Sequence, residues 1–185
     1  KDLKISIVPG NPQGYIQKKM QMFNNTVGYA SQELGGNLIV REQWLENPIW
    51  DIYILLNCEE ADKIAEMIME NRCVYIPYLG KNDHLADICN SEIVELETTS
   101  CENTVLSCLY LKKDGKLGIA DDEDEDEWED DEEDAPEFKY EEKLPIGIDD
   151  YLNLYQYETF CYTNMKVILK EKNILKTENR RLVFY

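Results

Sequence analysis

Residues 121–134 read DDEDEDEWEDDEED, thirteen carboxylates around one tryptophan. Like charges at that density repel one another and cannot be buried without partners, so a solvated loop is expected there. The loop carries most of the formal charge of −19 on the 185-residue chain. Outside it, 25 acids face 19 bases, a balance of −6. The net charge therefore describes one segment and does not exclude a nucleic-acid surface elsewhere. The plainest role for the loop is a solubilising insertion. Mimicry of nucleic acid and docking of a basic partner are the alternatives.

The rest is rich enough in apolar residues, 43% of the chain, to bury a core. No apolar run approaches the ~20 residues of a membrane span, and no signal-peptide pattern opens the chain. Six cysteines show no C-x-x-C spacing, and His84 is the single histidine, so a zinc site is not expected. Reduced thiols and a cytoplasmic location are expected instead.

Alternation predicts a strand over LKISIV (3–8), ended by PGNPQG. Residues 15–37 are polar and too long for a tight turn, and such segments are usually functional or disordered. NLIVREQWL (37–45) reads as a strand, Asn47-Pro48 as a break, and WDIYILL (50–56) as a buried strand. Asn57 and Glu60 have capping-box spacing. Ala61, Ile64, Ala65 and Ile68 then form one apolar helical stripe, predicting a helix to about Asn71. Further strands are predicted near 73–78, 92–98 and 104–111, with a turn at Asp114-Gly115. Four more are expected in FKYEEKLP, YQYETFCYT, MKVILK and RRLVFY, with a short helical turn at Asp149–Tyr151. Strand, strand, helix, strand matches the second part of a ferredoxin-like split βαβ sheet. Either the first strand and helix of that layout lie before Lys1, or the fold is a different one.

Two regions carry candidate chemistry. In YIPYLGKNDHLADI (75–88), Pro77 fixes φ, Gly80 allows positive φ, and Asn82-Asp83 favour a turn. Pro77, Tyr78 and Gly80 thus read as a structural corner anchored by its aromatic rings. His84 beside Tyr78 and Lys81 could serve metal-free RNA cleavage, but a single histidine in a polar turn is more simply exposed. The second region, residues 9–40, holds Lys18 and Lys19 against one acid, Glu33. Single-stranded RNA is held by cations on phosphates and aromatics under bases. Lys18, Lys19, Phe23, Asn24, Asn25, Tyr29, Arg41 and Gln43 supply both kinds of group, and they are the candidate RNA-binding residues. Asp149-Asp150 and Asp83/Asp87 are adjacent turn acids rather than a metal site. No phosphate-binding glycine loop or nucleophile elbow is present.

The segments REQWLENPIWDIYILL, EEADKIAEMIMEN and CVYIPYLGKNDHLADI, with LPIGIDDYLNLYQYETFCYTN later, carry a likeness. They resemble CRISPR-associated Cas family five of the RAMP superfamily, in its type I-B form. Pro77-Tyr78-Leu79-Gly80 with Ala86-Asp87-Ile88 is the most specific match, then Leu144-Pro145 with Tyr162-Thr163-Asn164. The resemblance covers roughly 37–98 and 140–165; the acidic insertion has no counterpart in it. It implies an α+β fold: a ferredoxin-like (RRM-like) RAMP sheet over 1–100 with a β-hairpin thumb at about 9–40, and a β-rich C-terminal region over 101–185. It implies a non-catalytic subunit of a Cascade surveillance complex that holds the 5′ handle of the CRISPR RNA (crRNA). The implied partners are a Cas family seven backbone subunit and the Cas family eight large subunit, with target DNA engaged indirectly. No cofactor and no membrane are implied. The alternative is a metal-independent endoribonuclease acting on repeat RNA.

Overall fold

The computed structural model describes residues 3–25, 38–99, 103–118, 136–170 and 172–185. The acidic loop and Tyr29 lie outside these. Among the described residues every strand pairing is antiparallel. β1 (Leu3–Pro9) is followed by a 3-10 turn at Pro12–Gly14, then by β2 (Gln17–Asn25) and β3 (Leu38–Glu46), which pair as a hairpin. β4 (Trp50–Leu56) returns to pair with β1 along its whole length, Leu3 opposite Leu56 and Pro9 opposite Trp50. The β2–β3 hairpin is therefore an insertion between two paired strands.

One helix, α1 (Ala61–Met69), follows. Then come β5 (Glu97–Thr99), β6 (Asn103–Val105), β7 (Tyr110–Leu111), β8 (Gly115–Leu117), β9 (Lys139–Ile148), β10 (Tyr155–Thr163), β11 (Lys166–Leu169), β12 (Ile174–Lys176) and β13 (Arg181–Leu182). They form three small sheets, ordered β7-β10-β9, β6-β11-β8 and β13-β12-β5. Among the described residues, antiparallel sheet with a single α-helix makes an α+β arrangement. Among the described residues no helix is long and apolar enough to cross a membrane.

The core sits where β1 meets the C-terminal half. Val8 packs with Leu106, Cys108, Tyr110, Val167 and Leu182, among others. The final residue closes the outer edge of β1: Ile5 N–H donates to Tyr185 O at 3.0 Å and receives its N–H in return at 3.1 Å. Pairing and burial thus come from residues far apart in sequence.

Several local expectations are corrected. Asn57 does not cap the helix; Glu60 is the N-cap, and its side chain makes no capping bond. The helix ends at Met69, and Asn71 follows with φ +52°. Residues 73–78 form no strand. Val74, Tyr75 and Ile76 are exposed, and their β-propensity finds no partner edge. The expected strand at 92–98 reduces to β5. The run 104–111 is split into β6 and β7, because Leu106–Leu109 dive into the core and Leu109 N–H bonds Ile7 O. Within 180–185 only Arg181 and Leu182 are in a strand, while β12 was not anticipated. Asp149 makes a turn, its carboxylate accepting the N–H of Tyr151 at 3.0 Å and of Leu152 at 2.7 Å.

Charge also ties β9 to its neighbours. Glu141 meets Lys112 at 2.7 Å and Lys139 at 2.8 Å. These ammonium groups hold its carboxyl at about 2, below the ordinary 4.5. A carboxylate depressed on folding contributes stability above its unfolded value, and that contribution is lost as pH falls through the folded value. Thermal unfolding scanned across that window should show a steeper loss for the parent chain than for Glu141→Gln. Parallel curves would mean that the two ion pairs carry no stability.

Candidate nucleic-acid interface on the β2–β3 hairpin

Directly opposed residues of an antiparallel pair share a face, and neighbours along a strand alternate. The register opposes Lys19 to Trp44, Gln21 to Glu42 and Phe23 to Val40. It opposes Lys18 to Leu45, Met20 to Gln43, Met22 to Arg41 and Asn24 to Ile39. The candidate residues are thereby divided. Lys19 and Phe23 lie on one face; Lys18, Asn24, Arg41 and Gln43 lie on the other. Asn25 is the last residue of β2, and Tyr29 lies outside the described residues.

Lys18 is also engaged. Its ammonium pairs with Glu142 of β9 at 2.7 Å, and the Tyr140 hydroxyl donates to the same carboxylate. Burial pushes the Glu142 carboxyl up, but Lys18 and Tyr140 outweigh it and keep the group below its ordinary value. Lys18 thus fastens the hairpin base to β9. Lys19 and Arg41 are exposed and have no ion-pair partner among the described residues.

The Lys19 face gains further groups from the corner at 77–86. There Leu79 N–H bonds His84 O at 2.7 Å, and Ala86 N–H bonds Pro77 O at 3.0 Å. Gly80 has φ +79°, a conformation that side chains disfavour. The corner is closed by these backbone bonds and not by its rings, since Tyr75 and Tyr78 are both exposed. It sets Lys81 and His84 on the hairpin. The Lys81 ammonium pairs with Glu42 and lies 5.5 Å from the centre of the Phe23 ring. His84 meets Trp44 edge-on, ring centres 4.7 Å apart. Trp44 Nε1–H donates to Glu42 at 3.0 Å. Hydrogen bonds from Lys81 and Trp44 hold the Glu42 carboxyl below its ordinary value, so it stays ionised and orients both.

The arrangement offers two partly open rings, Phe23 and Trp44, with Lys19 and Lys81 beside them. Such a surface can stack unpaired bases and attract phosphates. Phosphate reaching Lys81 would compete with Glu42. Trp44 was missed, since alternation sets it on the face opposite to Gln43; Lys81 and Glu42 were missed because their meeting spans 39 residues of chain. The opposite face is more apolar, with Met20, Met22 and Ile39 exposed around Arg41. Among the described residues no group of three or more His, Cys, Asp or Glu side chains gathers as a metal site.

Comparison with known proteins finds no matching family model, no matching curated protein and no matching solved structure.

Proposed function

We propose that this chain is a non-catalytic RNA-binding and assembly subunit of a type I CRISPR Cascade complex, holding the crRNA 5′ handle with the β2–β3 hairpin. The observation that carries the reading is the Lys19–Phe23–Glu42–Trp44 face, completed by Lys81 from the 77–86 corner. Its support in the fold is the insertion of that hairpin between the paired strands β1 and β4, with α1 next in order. This order agrees with a thumb projecting from a ferredoxin-like RAMP sheet. In this reading Lys19 and Lys81 contact phosphates, which position RNA without reading its sequence. Phe23 and Trp44 stack splayed handle bases. The Cas family seven and Cas family eight subunits then assemble on the remaining surface.

The test is fluorescence anisotropy with a labelled single-stranded CRISPR-repeat RNA, titrated at several salt concentrations. Each phosphate contact to a single strand contributes about −0.7 to the slope of log affinity against log salt. Lys19→Glu should reduce that slope by roughly one contact or more. Binding without salt dependence would overturn the proposal. So would repeat-RNA cleavage in EDTA that disappears in His84→Ala.

A further inference from the structure

The polar centre of the Lys19 face has a chemistry of its own. On β3, Glu42 lies between Val40 and Trp44; its opposite residue Gln21 lies between Lys19 and Phe23 on β2. The two open rings, Phe23 and Trp44, therefore flank a carboxylate. Both of its oxygens are oriented. The Lys81 ammonium donates to Oε1, and Trp44 Nε1–H donates to Oε2 at 3.0 Å. An ionised carboxylate has about four lone-pair sites, so each oxygen keeps one open. The Glu42 side chain is 20% exposed, which leaves it within reach of a ligand.

A carboxylate is out of place on a face that holds only phosphates. It repels them, and it weakens the pull of the neighbouring ammonium groups. A base edge that donates protons suits it instead, because hydrogen bonds to an ionised acceptor are strong. The bases differ at that edge. Guanine presents N1–H and the 2-amino group side by side, two parallel donors for two carboxylate oxygens. Adenine and cytosine place a ring-nitrogen lone pair beside the amino group, and uracil flanks N3–H with two carbonyls. Each of these sets an acceptor against one carboxylate oxygen. Guanine O6 falls on the N1 side, and an ammonium bonded to one oxygen still has protons to give there.

We infer that Glu42 is a specificity-determining residue, reading the Watson–Crick edge of an unpaired guanine that rests on the Trp44 ring. Oε1 receives N1–H, Oε2 receives the 2-amino N–H, and Lys81 donates to O6. The bond from Nε1 holds the carboxylate at the rim of the indole, where the edge of a stacked base passes. The inference rests on the RNA reading and adds to it the base that the hairpin selects. RNA without guanine keeps its stacking and its phosphate contacts, which carry no sequence information, and loses the edge contacts.

The test is fluorescence anisotropy of residues 1–185 with labelled oligouridines that carry guanosine, inosine, adenosine or no substitution at the centre. Guanosine should tighten binding roughly tenfold over adenosine or uridine. Inosine should fall between them, because it lacks only the 2-amino group. This series needs no variant, so a variant that fails to fold leaves the test in place. Glu42→Gln should bring the guanosine and adenosine affinities within about twofold of each other. It should also strengthen binding of plain oligouridine, since a negative charge beside the phosphates is gone. A carboxylate that only holds Lys81 and Trp44 in place would instead weaken every RNA alike in this variant. That uniform loss would overturn the inference, as would a guanosine preference that survives Glu42→Gln. Equal, salt-dependent affinity of the parent chain for all the RNAs would sink the inference and leave the RNA reading standing. No binding of any RNA would remove both.

Discussion

Trp44→Ala is expected to weaken binding of single-stranded repeat RNA about tenfold or more, since stacking one base on an aromatic ring contributes ~1–3 kcal/mol. Trp44 is 36% exposed, with its indole N–H held by Glu42 and its ring met by His84. It is therefore oriented in advance, which would limit the entropy lost if a base stacks on it. Met22→Ala is the matching control, because Met22 is 65% exposed and lies on the opposite face of the same hairpin. Its effect should stay within about twofold if RNA uses the Lys19 face, as neither a ring nor a phosphate contact is lost. Anisotropy titrations of both variants at one salt concentration make the comparison. Equal losses, or a larger loss for Met22→Ala, would assign RNA to the other face or to neither.

Leu182→Ala should lower the unfolding midpoint by roughly 5–15 °C, from the ~2–5 kcal/mol cost of a large-to-small change in a packed core. Leu182 is 0% exposed and packs with residues from distant parts of the chain. Ile52→Ala should cost less than about 1 kcal/mol, because little apolar area is removed from contact. Ile52 is 57% exposed in β4, although its run WDIYILL is the most apolar strand pattern in the chain. Circular-dichroism melts of the two variants decide the point. A larger loss for Ile52→Ala would show that the core lies under β4 and not at the C-terminal end.

The contrast between Leu182 and Ile52 marks where local reading ends. Alternation and apolar runs located β1, β3, β4, β10 and β11 within a residue, whereas β9 extends three residues beyond the expected 138–145. The helix was also legible, but its cap was not: Asn57 and Glu60 have the right spacing, yet the chain begins its helix at Ala61. Apolar residues at 73–78 and 104–111 suggested strands. Whether such a run becomes a strand depends on a free partner edge, and the sequence does not state that.

The hairpin shows the same division. The cations and aromatics of residues 9–40, with Arg41 and Gln43, were visible as a concentration of suitable groups. Pleating then separated Lys18 from Lys19 onto opposite faces, and the ion pair with Glu142 engaged Lys18. Closure of the 77–86 corner by its own backbone bonds brought Lys81 to Glu42 and Phe23. By itself the sequence determined which segments could be strands, where the helix and corner lie, and which cations and aromatics the hairpin region offers. Only the tertiary structure decided which of those groups share a surface and where the core forms. The reason is physical: side-chain periodicity is local, whereas strand pairing and burial depend on partners many residues away.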